Sequence, residues 1–303
     1  MPNAKLKNYL HLHFLVFIAG FTAILGELIS ISAIPLVWFR MLIASILIFI
    51  YIKALKINIS ITPNGILRLS FAGIIIALHW ITFFAAIDAS NVSIALSMFS
   101  TGAFFASFIE PLIFKRKIVW YEILFGIIVI VGVFVITQSE IKYISGILLG
   151  MSSAFFASFF AVLNGKFMQK YTATVISFYE FISGVAFISV FLLFIDDGFS
   201  SEFFSLSISD FGYLFILGSV CTAYAFLAAV HVMKYLSPYT VVLTFNMEPI
   251  YGIVAAILIF PEKEKMSTNF YLGASIIIIA VLLNGILKNS KKLKRKQSAS
   301  YEN

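Results

Sequence analysis

Apolar runs of about 20 residues recur along this chain from one end to the other, and no other feature restricts its fold so strongly. About 20 helical residues cross about 30 Å of hydrocarbon. Backbone N–H and C=O groups find no water there, so irregular lipid-exposed backbone is not viable and the runs should be helices. Composition agrees. The chain has 303 residues, 61% of them hydrophobic and 12% charged, with 34 Phe and a mean hydropathy of +1.03. An ordinary soluble domain carries about 25% charge. The expected fold class is an all-α polytopic membrane protein with ten transmembrane helices, near residues 12–31, 35–53, 68–87, 92–114, 119–138, 144–164, 173–195, 211–232, 239–260 and 270–287.

Lys5 and Lys7 ahead of the first run could start a signal peptide, but there is no clear small-residue cleavage site before Glu27. The single cysteine, Cys221, excludes an intrachain disulfide, and no Cys/His cluster points to a structural metal.

Basic residues set the expected orientation, because cytoplasmic loops carry the excess of Lys and Arg. With the N-terminus inside, 17 of the 21 Lys and Arg fall on the inner face, including the run KNSKKLKRKQSASYEN at 288–303. Only Lys142, Lys263 and Lys265 fall outside, and Arg40 lies within a span. Both termini are therefore expected in the cytoplasm, with residues 1–11 as a cytoplasmic N-terminus and 288–303 as a basic, disordered cytoplasmic tail. The net charge of +7 then needs no nucleic acid to explain it.

The two halves repeat. FFAAIDASNVSIALSMF (83–99) is similar to FLAAVHVMKYLSPYTVVLTF (226–245), and LIF recurs at 112–114 and 258–260. PLVWFRMLIASILI (35–48) has a weaker counterpart in TVISFYEFISGVAFI (174–188). Five helices per half is an odd number, so the second copy enters the membrane from the opposite side. An inverted repeat of this kind is a transporter plan with its binding site at the bilayer midplane. The expected repeats are 12–139 and 140–287.

These residues resemble the drug/metabolite transporter superfamily, in its EamA type of ten-helix permease. The likeness rests on Pro35 with Arg40 in the second span, Ser237-Pro238 before the ninth and Glu248-Pro249 within it. It implies an inner-membrane exporter of amino acids, other metabolites or drugs. This chain departs from the pattern at Thr101-Gly102, where the second repeat has Glu248-Pro249, and at FKRK (114–117), where the family often has Gly-Glu.

An ionisable side chain at the bilayer centre costs about 2.5–3.5 kcal/mol on insertion scales. Glu27, Arg40, Glu110, Glu180 and Glu248 therefore each need a reason to be where they are. Glu248 lies about 13 Å into its span by helical rise. Pro249 lacks an amide hydrogen, so a helix kink is expected at Pro249, with free acceptors near Phe245 and Asn246. Such a kink suits a polar ligand, or else Glu248 locks helix packing. Glu27 and Arg40 sit at matching depth on adjacent helices and are expected to form a structural or gating pair. Arg40 is alternatively free to clasp a substrate carboxylate in two-pronged fashion. Glu180 is placed to exchange protons with the cytoplasm, or to serve as an inner-gate partner. Glu110 is expected to pair at the interface beside Lys115–Lys117. His79 is a mid-span group that is either a switch or a satisfied helix contact. Trp80, Phe83, Phe84, Tyr179, Tyr224, Phe245 and Tyr251 are candidates for an aromatic cavity wall. Gly146 and Gly150 form a small-residue face for helix packing.

No P-loop, HExxH or nucleophile elbow is present, so no catalytic role and no cofactor are expected. The expected function is secondary transport, exporting a small organic metabolite such as an amino acid or related amphipathic compound by alternating access. The expected substrate-binding or gating residues are Arg40, His79, Trp80, Tyr179, Glu180, Tyr224, Phe245, Asn246 and Glu248. Exchange of phosphorylated or nucleotide-linked solutes is an alternative that needs more cations than Arg40, and a lipid-acting intramembrane enzyme is a remote one. The expected partners are a small-molecule substrate, the lipid bilayer and protons as coupling ion, for a monomer or homodimer.

Overall fold

The computed structural model describes residues 2–115, 117, 119–195, 198–232, 244, 245 and 247–301. Every regular element among them is helical. The first half holds α1 (Pro2–Leu28), α2 (Ala33–Ala54), α3 (Pro63–Asp88), α4 (Val92–Phe99), α5 (Gly102–Phe114) and α6 (Trp120–Ser139). A short 3₁₀ turn, Ile141–Tyr143, leads into the second half. There follow α7 (Ile144–Phe167), α8 (Ala173–Leu193), α9 (Ile208–Gly218), a π-helical segment Ser219–Tyr224, α10 (Ala225–Val232), α11 (Glu248–Ile259) and α12 (Thr268–Tyr301).

Local chemistry sets the helix ends. Thr62 caps α3 by accepting from the Gly65 amide, with Pro63 in the first turn where its missing N–H is not needed. Asn91 caps α4 by accepting from the Ile94 amide at 2.9 Å, and Ser207 caps α9 by accepting from the Asp210 amide at 3.0 Å. The outer helices begin and end differently from expectation. α1 starts at Pro2 and α12 runs on to Tyr301, so neither stops at the apolar boundary. No Gly or Pro lies within 288–301 to interrupt α12.

Three spans are not plain α-helices. α4 and α5 form one span, Val92–Phe114, broken at Ser100 and Thr101. The eighth span, Ile208–Ala229, contains the π segment. In the ninth, Thr244 and Phe245 are helical and α11 starts afresh at Glu248. The kink expected at Pro249 inside a continuous helix is therefore replaced by a break. Pro249 occupies the first turn of a new helix, where an absent donor leaves no carbonyl of that helix unpaired.

Helix contacts pair off when the halves are exchanged. α1 on α11 corresponds to α7 on α4 and α5, and α3 on α7 corresponds to α1 on α9 and α10. α3 on α8 corresponds to α2 on α9 and the π segment, while α6 on α12, α2 on α8 and α4 on α11 map onto themselves. Two of these seams rest on glycine. A Cβ at Gly20 would fall 2.9 Å from the Gly252 amide nitrogen, and one at Gly132 would fall 2.9 Å from the Gly273 carbonyl oxygen. Close backbone approach of this kind is how helices gain dispersion contacts in lipid. The Gly146 and Gly150 face of α7 meets Ser90 and Met98.

Candidate functional site

A cavity of about 350 Å³ lies between the halves. Its walls come from α1, α2 and α3, the end of α4, α7, α8, the π segment with α10, and the break ahead of α11. Irregular backbone at membrane depth is tolerated where it lines such a space. At the α4–α5 break the exposed carbonyls are met locally. Thr101 Oγ1 donates to the Met98 carbonyl at 2.6 Å, Ser100 Oγ to Leu96 at 3.0 Å, and Ser158 Oγ of α7 to Gly102 at 2.7 Å.

Arg40 enters the cavity from α2 and is 3% exposed. Its Nε donates to Thr222 Oγ1 at 2.7 Å, and that hydroxyl donates to the Leu217 carbonyl at 2.7 Å, five residues back, across the widened π turn. Its guanidinium carbon stands 3.9 Å from the Trp80 ring centroid, a cation–π contact. Arg40 Nη1 is buried and has no hydrogen-bond partner among the described residues. Glu248, at the start of α11, lines the same space within electrostatic range of Arg40 and sits where a helix N-terminus favours negative charge.

His79 lines the cavity from α3, with Nδ1 at 2.8 Å from Ser153 Oγ and 3.1 Å from the Ser153 carbonyl. A carbonyl only accepts, so in that contact Nδ1 carries the hydrogen. Glu180 faces in from α8 and is 1% exposed. Its Oε2 accepts a long 3.4 Å bond from Asn164 Nδ2 of α7. Glu180 Oε1 and Asn164 Oδ1 have no partner among the described residues.

Arg40, His79, Trp80, Glu180, Phe245 and Glu248 thus converge on one space. Tyr179 and Tyr224 do not. Tyr179 Oη donates to the Ile59 carbonyl at 3.0 Å, and the exposed Tyr224 Oη lies 2.6 Å from His11 Nε2. Tyr179 is turned instead toward the segment between α2 and α3, where Ile59 holds it. Asn246 lies outside the described residues. The expected Glu27–Arg40 pair does not form. Glu27, in the last turn of α1, reaches Lys263 at 2.6 Å instead, while Arg40 is turned inward to Trp80 and Thr222. Sequence reasoning passed over Asn164, Thr22, Phe160 and Phe226, all of which line the cavity. Only Asn164, an amide inside an apolar run, carried a legible signal.

The cavity extends to Met168 and Ala173, at the end of the molecule where α1 begins. The opposite end is laced shut. Ser30 gives its amide and hydroxyl to the two carboxylate oxygens of Asp210 at 2.8 and 2.6 Å. Glu264 accepts from the amides of Val92 and Ser93 at 3.0 and 2.9 Å, at the N-terminus of α4. Asn91 Nδ2 donates to the Lys263 carbonyl at 3.2 Å. Each contact joins one half to the other. The Glu27 carboxylate, bonded to Lys263 and adding its field, holds the lysine's pKa above its ordinary value.

These features define a helical membrane protein of two inverted five-helix repeats enclosing one shared cavity. The family model described as the EamA-like transporter family matches residues 7–138 and again 144–286, and the chain belongs to that family. A solved structure described as "Crystal structure of protein" is similar in fold, with a TM-score of 0.63 at 12% identity over 93% of this chain and 98% of that one. None of the curated proteins compared with the chain matches it.

Proposed function

We propose that this membrane transporter is a secondary transporter exporting a small organic metabolite, an amino acid or related amphipathic compound, by alternating access at the cavity. The observation that carries the reading is a buried space shared by both repeats, with Arg40 Nη1 and Glu180 Oε1 left unpartnered among the described residues on its walls. Buried polar atoms without partners are costly, and a solute that supplies the partners offsets that cost. Arg40 binds an anionic group, Trp80 and Phe245 pack the apolar part, and Glu248 and His79 tune the field around it. The form described here faces the end carrying the termini, which this reading places at the cytoplasmic side of the inner membrane. Among the described lining residues Arg40 is the only Lys or Arg, which disfavours doubly charged phosphate solutes.

The test is flux of labelled metabolites in proteoliposomes at two pH values. Arg40→Ala and Glu248→Gln are expected to cut flux at least tenfold while the protein still folds. Full flux in both variants rejects the reading.

A further inference from the structure

Two helix pairings fix the spacing of the charged groups in the cavity. Phe49 stacks on Phe178 with centroids 6.0 Å apart, and Trp38 Nε1 donates to Ser189 Oγ at 2.8 Å. α2 and α8 therefore run antiparallel, with Leu47 level with Glu180. Arg40 lies about seven residues farther along α2, or about 10 Å at about 1.5 Å per residue. α3 gives the same answer independently. Gly73 abuts the Glu180 carbonyl, and Trp80, over whose ring Arg40 lies, is about two turns or about 10 Å farther along. Side chains lean toward the N-terminus of their own helix. Glu180 leans toward Ala173, away from Arg40, whereas Arg40 reaches back to Thr222 and the Trp80 ring, so the two leans offset and the charged ends are separated by about the same 10 Å as their backbones.

We infer that the Glu180–Asn164 pair is a second pole of the solute site, and that the solute is bipolar, with its anionic group at Arg40 and an ammonium group at Glu180. The inference rests on the reading of this cavity as the solute site. A carboxylate buried without a countercharge is expensive, and a solute ammonium supplies that charge together with donors for Glu180 Oε1 and Asn164 Oδ1. Phe160 and Phe226 line the space around these poles. Hydrogen bonds occupy about 3 Å at each end of the roughly 10 Å interval, leaving about 4 Å or more between the solute's own poles. That separation suits an amine and a carboxylate on different carbons, a β-, γ- or longer ω-amino acid, better than an α-amino acid.

The experiment uses the full chain in nanodiscs and proteoliposomes. The probes are ω-amino carboxylates of increasing chain length, their α-amino isomers, and carboxylate-only and amine-only compounds of equal length. Thermal stabilisation reads binding, and counterflow reads transport. An ω-isomer of intermediate length is expected to bind at least tenfold more tightly than its α-isomer and than either singly charged control. Glu180→Gln, with Asn164→Ala as a second and gentler variant, is expected to abolish the preference for the bipolar probe over the carboxylate-only probe. An α-isomer that binds as tightly, a preference that survives both variants, or no binding across the series overturns the inference. Length-selective binding without flux refutes the transport reading and leaves the bipolar site standing. Flux without the preference does the reverse.

Discussion

Arg40 is held by shape as much as by charge. The guanidinium carbon lies over the Trp80 ring while Nε bonds Thr222, and an ammonium group cannot make both contacts in the same way. Arg40→Lys therefore keeps the charge but loses this pair of contacts and the fixed direction of the remaining donors. Counterflow of any transported solute is expected to fall at least tenfold, mainly through weaker binding. Circular dichroism should show an unchanged helix content. Thr222→Val separates the two roles. It removes the Nε partner and the hydroxyl that closes the π turn, and it leaves Trp80 in place. A loss of about 1–3 kcal/mol of stability is expected from a buried charged donor left unpaired, read as a lower unfolding midpoint in mild detergent.

Among the elements, the seams carry the fold and the breaks carry the site. α1 and α11 meet where Gly20 faces Gly252, and α6 and α12 meet where Gly132 faces Gly273. Backbone atoms have nowhere to retreat, so Gly20→Val or Gly132→Val is expected to cost about 1–3 kcal/mol through overpacking, measured by thermal unfolding. The two seams predict different consequences for transport. α1 borders the cavity through Ala19 and Thr22, so Gly20→Val should also lower flux, whereas none of the described lining residues comes from α6 or α12. The apolar periodicity shows the spans but hides the breaks. Ser100-Thr101 and the stretch before Glu248 sit inside runs that read as continuous hydrocarbon-crossing segments. Pro249 signals an interruption without saying whether it bends one helix or starts another, because proline is accommodated in the first turn of a helix and disruptive only deeper within it. Thr101-Gly102 breaks the first repeat at the corresponding point without any proline.

At the scale of the whole molecule, the proposed alternating access makes the laced end a latch between repeats. The Ser30–Asp210 bonds and the Glu27–Lys263 pair cannot persist in a form open at that end. The Glu27–Lys263 pair, with the Lys263 side chain 66% exposed, is worth at most about 1 kcal/mol, and the bonds to the Asp210 carboxylate about 1.5–3 kcal/mol each, so Glu27→Gln with Asp210→Asn is expected to shift the equilibrium between forms by about tenfold or more. Cys221, the single cysteine, lines the cavity and reports which end is open. A membrane-impermeant maleimide should label the native protein from the face where α1 begins. The double variant should gain labelling from the other face, and unchanged sidedness would show that these bonds do not control access. The latch also has a defined pH range. Lys263 has a folded-state pKa raised by Glu27, so its contribution is complete below lysine's ordinary 10.5 and is lost as pH rises through the higher folded value. Lys263 should therefore add no pH dependence to labelling between about pH 6 and 9.

Composition and periodicity by themselves determined that this chain is a bundle of membrane helices in two inverted repeats, because the thickness of a bilayer and the demand for internal backbone bonding allow an apolar chain few other solutions. They also marked Arg40, His79, Trp80, Glu180 and Glu248, since charge and imidazole within oil require a reason. Only the tertiary structure decided partners. Glu27 lies in the last turn of α1 and Arg40 about two turns into α2, and the two helices pack mainly on other partners, α1 on α11 and α2 on α8, because helical rise from the sequence says nothing about which helices meet or about rotation about the helix axis. Asn164 and Phe226 joined the site, and Tyr179 and Tyr224 left it, for the same reason. Lipid exerts no hydrophobic preference among apolar faces, so which face turns inward is settled by close packing and by hydrogen bonds between helices far apart in the chain.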